Sequence, residues 1–68
     1  MNAVKPVSAK KQYRQHVKFA KQIIKGIEVL VEGGEDFRNL DEALRAAGNL
    51  QIVAANLEHY INQLKAGA

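Results

Sequence analysis

Cysteine and tryptophan are absent from the 68 residues, proline occurs once, and phenylalanine and tyrosine occur twice each. Without cysteine there is no disulfide and no thiolate for a metal. His16 and His59 alone do not complete a structural zinc site. There is no long apolar run either. The most apolar stretch, Ile23 to Val31, is interrupted by Lys25, Gly26 and Glu28, and crossing a bilayer takes about 20 mostly apolar residues. Residues 1–12 lack the apolar core of a secretory signal. These absences predict a cytoplasmic protein that does not engage a membrane. No nucleophile motif, phosphate-binding glycine loop or metal signature is present, so neither catalysis nor a cofactor is expected.

What is present is helical periodicity. Leu40, Ala43, Ala47, Leu50, Ala54, Leu57, Ile61 and Leu64 follow one another at alternating three- and four-residue steps. That spacing keeps an apolar seam on one side of a helix. Tyr13, Val17, Ala20, Ile24, Ile27 and Val31 repeat the pattern earlier in the chain. His16, Ile23 and Leu30 lie beside the first seam, and Val53 and Tyr60 widen the second. A face about three positions in seven wide belongs to a helix inside a bundle rather than to a two-stranded coil. Ile52 falls on the far side of the second helix.

Local signals place the ends. Residues 1–7 lack periodicity and contain Pro6, as a tail would. Ser8 is placed to cap a first helix running from about Ala9 to Glu32, and Gly33 and Gly34 end it. The connection is expected over residues 33–38, with Phe37 as a plug over the open end of the core. Asn39, with Glu42 three residues later, matches a capping box for a second helix reaching about Lys65. Gly48 and Asn49 are the weak point, where that helix could bend or break in two. The seam keeps its phase from Ala47 through Leu50 to Ala54, which favours one helix.

The expected fold is therefore all-α: an antiparallel helical hairpin forming a single domain over residues 8–68. A chain this short buries little of its surface alone and has no staple, so two hairpins should pair into a four-helix bundle. The hairpin and dimer core is expected to use Val17, Ile24, Ile27, Val31, Ala47, Leu50, Ala54, Leu57, Ile61 and Leu64. This architecture resembles the small dimeric helical-hairpin RNA-binding regulators of plasmid copy number, the Rop type, in length, in its two heptad helices and in its short connection. No sequence motif is shared, so no residue role is carried over.

Charge is distributed unevenly. Met1 to Lys25 contains seven basic residues and no acid, a charge of +7. From Gly26 onward three basic residues face seven acids, a charge of −4, and the two parts give the net +3. Lys10, Lys11, Arg14, Lys18, Lys21 and Lys25 form one ridge of the first helix, beside the apolar seam, with Phe19 next to Lys18. The ridge suits an acidic protein partner or the phosphate backbone of RNA or DNA; a merely solvated face has the same composition. Seams without chemistry point to a homodimeric, regulatory or adaptor protein acting through protein–protein contacts. A nucleic-acid-binding regulator that uses the ridge is the alternative.

Overall fold

A computed structural model describes residues 8–67; the expected tail at residues 1–7 lies outside them. The described residues form two helices, α1 (Ala9–Glu32) and α2 (Phe37–Gly67), packed against one another as a hairpin. Apart from Ser8 and the connection 33–36, every described residue is helical.

α1 has the expected bounds. Ser8 is extended (φ −63°, ψ 149°) and its Oγ accepts from the Lys11 N–H at 3.2 Å, satisfying an amide that the first turn leaves unpaired. At the other end the Gly33 N–H donates to the carbonyls of Val29 and Leu30, each at 3.1 Å. The left-handed residue is Gly34, at φ +114°, where any side chain would be strained.

α2 starts two residues earlier than the sequence pattern suggests, and its cap is not Asn39. Asp36 caps it: its Oδ1 accepts from the Asn39 N–H at 2.8 Å and its carbonyl accepts from the Leu40 N–H at 2.9 Å. An acid at the positive end of a helix dipole is favourable, which explains why Asp36 sits where it opposes the dipole of α1. Asn39 instead reaches across the connection. Its Nδ2 donates to the Leu30 carbonyl at 2.6 Å and to the Gly34 carbonyl at 2.9 Å, tying the end of α1 to the start of α2. Gly33 leaves room for that amide, since a Cβ there would lie 2.9 Å from Asn39 Nδ2. Phe37 plugs nothing in the single hairpin; it is the first residue of α2 and is 86% exposed. The helix passes through Gly48 and Asn49 without a break, as the unbroken phase of the seam favours.

Each helix carries three adjacent apolar rows with heptad spacing. Two rows from each make the contact between the helices. On α1 they are Tyr13, Ala20, Ile27 and His16, Ile23, Leu30; on α2 they are Ala43, Leu50, Leu57, Leu64 and Ala46, Val53, Tyr60. All of these are half-buried. Near the chain ends the seam becomes aromatic. The His16 ring packs on Tyr60 with centroids 5.3 Å apart and forms a T-shaped pair with Phe19 at 5.4 Å. His16 Nδ1 lies 2.8 Å from the Gln12 carbonyl. A carbonyl only accepts, so Nδ1 carries the proton and Nε2 is left for another partner. Nothing is fully buried: among the described residues, none has the low exposure of a core position.

Candidate interaction surfaces

The third apolar row of each helix has no partner in the hairpin. On α1 it is Val17, Ile24 and Val31; on α2 it is Leu40, Ala47, Ala54 and Ile61. Two antiparallel helices that face each other through equivalent rows turn their next rows to the same side. Both third rows therefore share one face of the hairpin. Shallow depressions mark the two ends of that face. The one at the turn is lined by Leu30, Val31, Leu40 and Ala43, and the one at the chain ends by Tyr13, Ile61 and Leu64. Ile24, Val31, Leu40 and Ile61 are 41–67% exposed. Phe37 and Leu44 continue the apolar surface along the edge of α2. Of the large exposed hydrophobic residues, Phe19, Val29 and Ile52 lie elsewhere on the wheel.

Ten residues were expected in the hairpin and dimer core. Ile27, Leu50, Leu57 and Leu64 are half-buried between the two helices. Val17 and Ala47 are half-buried at the margin of the open face. Ile24, Val31, Ala54 and Ile61 are exposed on it. The hairpin thus leaves part of that set uncovered, and fills the other flank of its seam with His16, Ile23, Leu30, Ala46, Val53 and Tyr60. The heptad spacing of these six is as regular as that of the row left open, so periodicity alone does not separate the two.

The basic ridge is fully displayed. Lys10, Lys11, Arg14, Lys18, Lys21 and Lys25 are all exposed. Their spacing places Lys10 in the open row, seven residues before Val17, and the other five along the outer edge of α1 beside it. Among the described residues the ion pair that forms is Arg45–Asp41, at 3.7 Å within α2. No ridge cation forms an ion pair with an acid of the hairpin among the described residues. Glu28 and Glu32 extend the same rows toward the turn and reverse the sign of the charge there. Phe19 stands apart from these cations. It sits on the other side of α1, T-shaped to the His16 ring, near Gln12, Asn56 and Gln63 on a face that is polar and largely uncharged.

Among the described residues no group of three or more potential metal ligands gathers, and no helix is long and apolar enough to cross a membrane. His59 is exposed and packs its ring at 5.3 Å against Tyr60. The chain matches no protein-family model, and no curated protein or solved structure is significantly similar to it.

Proposed function

We propose that the protein is a small non-enzymatic interaction module: a homodimeric four-helix bundle that serves as a regulatory or adaptor protein through protein–protein contacts. The observation that carries this reading is the open apolar face on a hairpin with no buried residue among those described. Apolar surface is worth about 25 cal/mol per Å² when removed from water. Two half-covered helices without a core do not offset the chain entropy that folding removes. A second apolar layer against the open face supplies the missing burial. The ridge on the outer edge of α1 and the uncharged face around Phe19 then remain outside the dimer for a further partner, and the ridge favours an acidic one.

Sedimentation equilibrium over a concentration series tests the assembly. A dimer whose unfolding midpoint rises with protein concentration is expected. A monomer that unfolds cooperatively, with a midpoint independent of concentration, would sink the reading.

A second reading has its own support, since the ridge cations form no ion pair among the described residues. They would suit successive phosphates of a nucleic acid. In that case anisotropy titrations with short structured RNA and duplex DNA give affinities that fall steeply with salt, because each neutralised phosphate releases counterions. Replacing Lys18 and Lys21 by glutamate then weakens binding at least tenfold and flattens the salt slope by about 2, with helicity unchanged. Absence of binding even at low salt leaves the ridge to a protein partner.

A further inference from the structure

Charge is separated along the length of the hairpin. The half near the chain ends, residues 8–20 and 52–67, holds five basic residues and one acid, a charge of +4. The half near the turn, residues 21–51, holds four basic residues and six acids, a charge of −2. The open apolar face runs the full length between these two poles. The α2 row is close to symmetric about its middle; the α1 row is symmetric in its central pair and has Lys10 at the chain end where Val31 stands at the turn. Val17 and Ile24 flank the midpoint of α1, Ala47 and Ala54 flank the centre of the row on α2, and Leu40 and Ile61 lie toward its two ends.

We infer that the occupant of the open face is a second copy of this chain, docked across a two-fold axis perpendicular to the helices, with the two turns at opposite ends. The inference rests on the dimer proposed above and adds its orientation. A dimer with both turns at one end would set the two +4 halves side by side, and would gather Glu28, Glu32, Glu35, Asp36, Asp41 and Glu42 of both copies at the other end. The opposed arrangement places each +4 half beside a −2 half. Electrostatic complementarity of this kind fixes orientation even where it adds little affinity. The axis also matches side-chain sizes. It sets Val17 against the partner's Ile24, the small pair Ala47 and Ala54 against each other, and Leu40 against the partner's Ile61. At the edge of α1, Arg14 comes level with the partner's Glu28. Lys21 meets its own copy near the axis; its side chain is exposed, and a long stem lets the ammonium swing into water. Because α1 then stacks on the partner's α1, the two basic ridges lie along one wall of the bundle.

The absence of cysteine makes a single label site unique. Glu35 is exposed in the connection, so Glu35→Cys carrying a nitroxide should leave the fold intact, which circular dichroism verifies. Each label lies about 14 residues beyond the axis, so at 1.5 Å per residue the pair should be on the order of 40 to 45 Å apart. Double electron–electron resonance reads that distance, with sedimentation run on the same labelled protein. A distribution centred near this separation supports the opposed dimer. A distance under about 25 Å in a protein that sediments as a dimer overturns the orientation and leaves the dimer standing. A monomer without dipolar modulation, at concentrations far above those of the sedimentation series, overturns both.

Discussion

Ile24→Ala separates the open face from the rest of the surface. Ile24 is 46% exposed in the single hairpin, so about half of its side chain is still in water before any partner arrives. Truncating a fully buried isoleucine to alanine costs about 2 to 5 kcal/mol. If dimerisation covers the remaining half, about 1 to 2 kcal/mol of that loss falls on association rather than on folding of the hairpin. The variant acts twice in a symmetric dimer, which doubles the loss to about 2 to 4 kcal/mol. At about 1.4 kcal/mol per tenfold, the dissociation constant should rise roughly 30- to 700-fold. Sedimentation equilibrium measures this directly. Ile52→Ala is the control: the same side chain, 63% exposed, on the far side of the α2 wheel. Its effect should stay within about 0.5 kcal/mol. Equal weakening by the two substitutions would mean that the covered face has been misassigned. An unchanged dissociation constant in Ile24→Ala would mean that the open face takes no part in assembly.

Two backbone features give further tests. Asp36→Ala removes the acceptor of the Asn39 N–H, and should lower stability by about 1 kcal/mol in urea titration; no change would mean that water or another side chain caps α2 equally well. Gly48→Ala should act in the opposite sense. A Cβ there meets nothing within 4 Å and the backbone is not left-handed, so the helix gains about 0.5 to 1 kcal/mol, seen as a melting temperature higher by a few degrees. A lower melting temperature would reveal a close neighbour at Gly48 in the assembled state.

The parts of the fold that were legible in the sequence are those set by neighbours along the chain. Ser8, Gly33 and Gly34 mark the ends of α1 because a cap hydroxyl and a left-handed turn act over three or four residues. The start of α2 is not legible in this way, for the complementary reason. Asn39 with Glu42 has the local form of a capping box. Yet the Asn39 amide is used nine residues away, on the Leu30 carbonyl, and only the meeting of the two helices creates that acceptor. With Asn39 so engaged, Asp36 becomes the cap, Phe37 joins the helix, and the supposed plug moves out onto the surface.

The choice between apolar rows follows the same logic. Three adjacent rows on each helix specify a wide apolar face, but a helix pair needs only two, and heptad spacing is identical in all of them. The conflict is settled by contacts between helices: Asn39 bridges the turn, and His16 packs at a tilt on Tyr60 near the chain ends. Both contacts lie on the same flank of the seam, and they rotate that flank inward at either end of the hairpin. The rows of Ile24 and Leu40 are thereby turned outward. Polar and aromatic groups fix this rotation because their geometry is directional, whereas an alanine or isoleucine row is satisfied by any apolar neighbour. The side chains best suited to bury without direction are consequently the ones left free, and a surface made of them, bordered by charge that changes sign along its length, is suited to a partner of its own shape.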